Sequence, residues 1–128
     1  MKRTFYISLV LILFFASCKT EESVKEYQLA HHVFVWLKNS GSKTDLQQLL
    51  EGMKTLKEIE VVNYIQVGVP ADTEIREVVD HSYDASLLLF FDNEADQKIY
   101  QEHPVHLDFV EKHKKLWSKV IVYDTKAP

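Results

Sequence analysis

From residue 29 onward the chain switches between two hydrophobic periods. Between Ala30 and Lys38, His32, Phe34 and Trp36 alternate with His31, Val33, Val35 and Leu37, which predicts a first strand with bulky groups on both faces. Asn39 to Ser42 forms a turn, and Thr44 with Gln47 three residues on predicts a capping box. Leu46, Leu49, Leu50, Met53 and Leu56 then recur at helical spacing and give one apolar stripe. Gly52 inside that stripe is either a small helix penalty or a point of close packing. A second strand is predicted from Val61 to Val69, ended by Pro70. The polar connection from Ala71 to Tyr83 carries Ile75, Val78 and Val79, which predict that it lies against the body. Ala85 to Phe91 is a third strand, apolar on both faces, followed by a short helix with Ala95, Ile99 and Tyr100. Pro104 opens a long helix carrying apolar residues as far as Trp117, and Ser118 to Tyr123 is the last strand.

The predicted order is β-α-β-β-α-β, an α+β arrangement of the ferredoxin-like kind. Two helices cover only one face of a four-stranded sheet, yet several of these strands are apolar on both. The second face needs a cover, and a second copy of the same sheet supplies one most simply. The expected assembly is a homodimer with its two sheets facing each other. A bound apolar ligand is the alternative cover, and the two are compatible.

The first residues belong to a different kind of segment. Lys2 and Arg3 precede an apolar run from Phe5 to Phe15, then Ala16, Ser17 and Cys18. A basic start, a short apolar stretch and small residues predict a signal peptide over residues 1–17. Phe15-Ala16-Ser17-Cys18 resembles a bacterial lipobox, in which the cysteine is acylated. A plain signal peptide and a signal anchor are the alternatives. Cys18 is the single cysteine, so no intramolecular disulfide can form. Residues 18–28 then read as a polar tether and residues 29–128 as the domain. Lys19 stands where an Asp retains such lipoproteins in the inner membrane, so the expected location is the outer membrane of a cell envelope.

Charge narrows the partners. The chain has 15 basic and 19 acidic residues, net −4; removing residues 1–17 takes two basic and no acidic residues, leaving −6. An acidic domain without a basic patch is a poor ligand for nucleic acid. Three glycines with no GxGxxG or P-loop give no support to nucleotide binding, and no serine sits in a nucleophile elbow.

The densest chemistry lies in Tyr100-Gln101-Glu102-His103-Pro104-Val105-His106. Helical phase puts His106 and His113 on the apolar side of the helix opened by Pro104. The positive helix end and burial both lower the basicity of an imidazole at position 106, as a general base requires. Equally, His106 could hydrogen-bond a backbone carbonyl and only help fill the core. His113 has a structural role, His103 caps the helix or faces solvent, and Tyr100 is a core aromatic with its hydroxyl at the edge. His103-x-x-His106 and His31-His32 do not make a metal site: the first spans a helix-initiating proline, and adjacent strand residues point to opposite faces. No metal is expected.

Four blocks together resemble the stress-responsive A/B-barrel (Dabb) family: His32-Val33-Phe34-Val35-Trp36-Leu37-Lys38, Val79 to Asp84, Tyr100 to His106, and Val120-Ile121-Val122-Tyr123-Asp124. The resemblance spans about Leu29 to Asp124. It implies a ferredoxin-like domain that dimerises through its sheets into a barrel. Most members have no assigned activity; some plant members are polyketide cyclases that close a ring by aldol condensation without a cofactor. By that resemblance Tyr100 and His106 are the acid/base pair, and His32 matches a pocket histidine on the first strand. A further pocket histidine of the cyclases falls at Ala85 here, a departure that bears on cyclase activity itself. The expected pocket holds His32, Phe34, Trp36, Tyr100 and His106. Three functions follow: a binding module for a small apolar or aromatic molecule, a cofactor-free acid/base enzyme, or an envelope protein without turnover.

Overall fold

The computed structural model describes residues 26–128. The expected signal segment 1–17, the lipidation site Cys18 and all but the end of the tether lie outside the described residues. Among those described, no helix is long and apolar enough to cross a membrane.

The elements are β1 (Leu29–Leu37), α1 (Lys43–Thr55) with a 3-10 turn at Leu56–Glu58, β2 (Tyr64–Gly68), β3 (Ala85–Phe91), α2 (Glu94–Glu102), α3 (Pro104–His113) and β4 (Trp117–Lys126). The four strands form one antiparallel sheet in the order β2-β3-β1-β4, the ferredoxin-like topology. β1 and β3, central and apolar on both faces, pair from Leu29 opposite Phe91 to Val35 opposite Ala85. The helices pack on one face only. Val35, Leu37, Ala85, Leu87, Leu89 and Phe91 point toward them and join Leu49, Met53, Leu56, Ile59, Tyr100 and Phe109 in the core. Burying each large aliphatic or aromatic side chain contributes roughly 1.5–3 kcal/mol.

The other sheet face carries His32, Phe34 and Trp36 of β1, Leu88 and Phe90 of β3, and Ile121 and Tyr123 of β4. None of these is buried. Their rings cluster: Phe34 meets His32, Tyr83 and Tyr123, with centroids 4.1, 4.9 and 6.1 Å away. The two-faced strand pattern therefore marks an apolar sheet face that none of the described helices covers.

Local details differ from expectation where a side chain outcompetes the pattern. Ser42, not Thr44, caps α1, its hydroxyl accepting from Asp45 N–H. β2 is shorter than predicted, because Val61 and Val62 pack on the core from the turn that follows the 3-10 segment. The long helix ends at His113, so Leu116 and Trp117 belong to the turn and the start of β4. Ile75 and Val78 stand 89% and 85% exposed, so the 71–83 connection does not lie on the body at those positions. Gly52 is a point of close packing: a Cβ there would overlap the His113 ring.

Candidate functional site

A cavity of about 280 Å³ lies between the helices and the sheet. That is near the small end of ligand pockets, roughly 300–1,000 Å³. Val33, Val35, Met53, Leu87, Phe109 and Trp117 make most of its walls apolar, and no Lys or Arg lines it. Val120 and Val122 also line it but are 40% and 43% exposed, since the helix layer stops short of edge strand β4. The polar exceptions are His31, Tyr100, Gln101 and His106.

Each of these groups is placed by a local rule. Tyr100 sits in the last turn of α2 and is 1% exposed. His103 then leaves the helical conformation (φ −67°, ψ 135°), as a residue before proline tends to do. Pro104 restarts the helix at its first position, and His103 Nδ1 accepts from Val105 N–H at 3.2 Å as the cap. The proton of a neutral His103 is then on Nε2, which lies 3.4 Å from Glu60. One turn into α3, His106 comes back over the sheet with its ring centroid 4.6 Å from that of Tyr100.

The ionisation of the pair follows from this burial. His106 has its pKa lowered, first by desolvation, then against the hydrogen bond to Gln101 and with the repulsion of His31. Desolvation raises the Tyr100 phenol well above its usual value, so it remains a proton-bearing donor. His106 Nδ1 donates to Gln101 carbonyl oxygen at 3.0 Å, which leaves Nε2 as the nitrogen able to accept. The hydrogen bond that helps fill the core thus also sets which ring nitrogen can accept. Among the described residues neither Tyr100 Oη nor His106 Nε2 has a hydrogen-bond partner, and no sealed side-chain polar atom lacks one. Both atoms therefore open on the cavity.

The five residues expected to share a pocket are split between two faces. Tyr100 and His106 meet as expected, but His32, Phe34 and Trp36 are on the opposite side of the sheet. The histidine that joins Tyr100 is His31, buried at 3%, its ring centroid 5.7 Å away. Strand alternation is the reason: His31, Val33 and Val35 face the helices, and His32, Phe34 and Trp36 face away. The signal that could have found His31 was its phase with Val35 and Leu37, the fully buried positions of β1. Two of the outer trio line a cavity of about 200 Å³, where Phe34 and Trp36 meet Tyr83, Ile121 and Tyr123 beside Lys119 and Asp80. His32 lies just outside it, its pKa lowered by burial and by neighbouring His31.

His113 is structural: it is buried, donates from Nδ1 to Phe109 O at 2.7 Å and stacks on the Phe109 ring. Ala85 is fully buried at the start of β3, opposite Val35. Among the described residues, no three His, Cys, Asp or Glu side chains converge as metal ligands.

Comparison with known proteins places this architecture. No curated protein matches the chain. Among solved structures, a Dabb-family protein of ferredoxin-like fold from Mesorhizobium loti is 21% identical, with TM-score 0.66, over 80% of this chain and 99% of its own. A dimeric ferredoxin-like protein of unknown function from Bacteroides fragilis is 19% identical, with TM-score 0.60, over 80% and 100%. The hydroxynitrile lyase of Passiflora edulis is 17% identical, with TM-score 0.67, over 80% and 94%. At these identities the likeness is one of fold. Residues 29–127 match the stress responsive A/B barrel domain, and the chain belongs to that family, Dabb.

Proposed function

We propose that this domain binds a small, largely apolar molecule in the helix-side cavity, its polar end on Tyr100, His106 and His31. The carrying observation is an apolar chamber in which the Tyr100 hydroxyl and the Nε2 atoms of His106 and His31 have no hydrogen-bond partner among the described residues. Such a site desolvates an apolar body and orients one polar head, which is how small-molecule pockets work. The lack of lining Lys or Arg argues for a neutral head rather than a phosphate or carboxylate. The protein acts as a homodimer through the face bearing Phe34, Trp36, Leu88 and Phe90, an assembly supported by the dimeric relatives of the same fold. Acylated Cys18 holds it at the membrane of the cell envelope, on the outer-membrane side of sorting.

Native mass spectrometry of protein isolated from its own host tests the binding reading. A co-purifying small molecule lost in His106→Ala and Tyr100→Phe is expected; wild type carrying nothing, and taking up none of a panel of alkylphenols, defeats it. Mass spectrometry of the mature N-terminus tests the anchor, which an unmodified Cys18 or a cut elsewhere would exclude.

A second reading, a cofactor-free acid/base enzyme, has one specific observation behind it. His106 is held by Gln101 with Nε2 free beside the proton-bearing Tyr100 hydroxyl, so one residue can take a proton while the other polarises a carbonyl. The hydroxynitrile lyase shares the fold, which lends analogy only. Turnover of tetraketide-like substrates by wild type but not by His106→Ala is the expected result on this reading. Equal rates in both proteins would sink it.

A further inference from the structure

Of the two imidazoles in the cavity, His31 is the one oriented by another side chain. Its Nδ1 lies 2.6 Å from Asp124 Oδ1, and the two residues are direct partners across the β1–β4 ladder. The His31 side chain is 4% exposed, whereas that of Asp124 is 52% exposed at the sheet edge. An ionised carboxylate only accepts hydrogen bonds, so the Nδ1 atom is the donor. Phe91 and Tyr100 flank the ring edge-on, at 6.3 and 5.7 Å between centroids. Among the described residues His31 Nε2 has no hydrogen-bond partner, and since no sealed side-chain polar atom lacks one, Nε2 too opens on the cavity.

We propose that Asp124 is the positioning residue of this cavity: it fixes His31 as the Nδ1–H tautomer and so keeps Nε2 as an acceptor for the ligand. A carboxylate hydrogen-bonded to one ring nitrogen of an imidazole sets ring orientation and tautomer in this way, and here the imidazole itself is buried. Gln101 carbonyl does the same for His106. The cavity then offers two imidazole acceptors and one phenol donor. Its complement is a neutral head with two hydroxyl hydrogens and one acceptor oxygen, carried on an apolar body. The ligand half of this inference rests on the binding function proposed above; the tautomer half rests on the Asp124–His31 contact alone.

Long-range proton–nitrogen spectra of the histidine-labelled full chain, taken at mildly alkaline pH, test the assignment. Wild type should show His31 with a protonated Nδ1 and a bare Nε2. Asp124→Ala should shift the ring toward the Nε2–H form favoured in water, and Asp124→Asn, which can donate as well as accept, toward a mixture. A protonated Nε2 in wild type, or unchanged spectra in both variants, overturns the proposal. The second readout is the affinity ratio of 4-hexylresorcinol to 4-hexylphenol, expected at about five- to tenfold in wild type for one added hydrogen bond. In Asp124→Ala the ratio should fall to about one; an unchanged ratio also counts against the proposal. If neither phenol binds, the pocket reading fails, and the spectra, recorded without ligand, still decide whether Asp124 sets the tautomer.

Discussion

Tyr100 and His106 sit on two different helices, and their rings meet at 4.6 Å because the chain leaves the helix at His103. Burial acts on both, lowering the imidazole pKa and raising that of the phenol. An NMR titration of His106 should give a midpoint below the ordinary 6.5. With the folded value below the unfolded one, the unfolded chain takes up the proton first. The His106 contribution to stability is therefore complete above 6.5 and is lost as pH falls from there through the folded value. His106→Gln should flatten the stability profile over that window, as followed by urea unfolding at a series of pH values. A profile unchanged by the substitution defeats this prediction.

Gly52 faces the His113 ring, where a methyl group has no room. Alanine normally favours a helix over glycine by about 1 kcal/mol, but overpacking costs about 1–3 kcal/mol. Gly52→Ala should therefore lower stability by up to roughly 2 kcal/mol in urea melts, the difference of those two effects. In a His113→Ala background the same change should be neutral or stabilising, because the obstructing ring is gone. A cost that is equal in both backgrounds would rule out this contact as the cause.

Asp84 ties β1 to the end of the long β2–β3 connection. Its Oδ2 accepts from Leu37 N–H and its Oδ1 from the Ser40 hydroxyl, both at 2.8 Å. Leu37 is 4% exposed, so Asp84→Ala strands a backbone donor with little access to water. Thermal unfolding should show a loss of about 1–3 kcal/mol, and Ser40→Ala a smaller one. If Ser40→Ala costs as much as Asp84→Ala, the Leu37 amide is not the main term.

The outer sheet face should control self-association and leave the cavity intact. Phe34→Asp places a charge among Tyr83, Tyr123 and His32, groups that a facing sheet would cover. Analytical ultracentrifugation is expected to give a dimer for wild type and a folded monomer for the variant. A variant that remains dimeric moves the interface elsewhere.

The fold was readable because its signals agreed. The period-two runs in β1 and β3, the leucine stripe of α1 and the proline at the start of α3 all pointed to the same topology. Helical phase after Pro104 turned His106 inward, but its pairing with Tyr100 came from the resemblance to the Dabb family. His31 was not. Two adjacent histidines on a strand are chemically identical in sequence, and only the register against Val35 and Leu37 says which one faces the helices. Asp124 was illegible on different grounds: its partner is 93 positions away, through strand pairing that no local pattern encodes. Ile75 and Val78 misled because an apolar residue in a connection can simply be exposed.

The interruption at His103 also makes spacing itself a component of the site. In an unbroken helix residues six apart would point about 120° away from each other. The extended residue between α2 and α3 resets the angular count, so Tyr100 and His106 can share a chamber at a separation that continuous winding forbids. Lengthening or shortening that junction by one residue would swing every later side chain of α3 by about 100°, carrying His106 off the sheet. A change of length at this junction therefore disturbs the chamber more than a substitution in its walls, because it moves a whole helix face rather than one side chain.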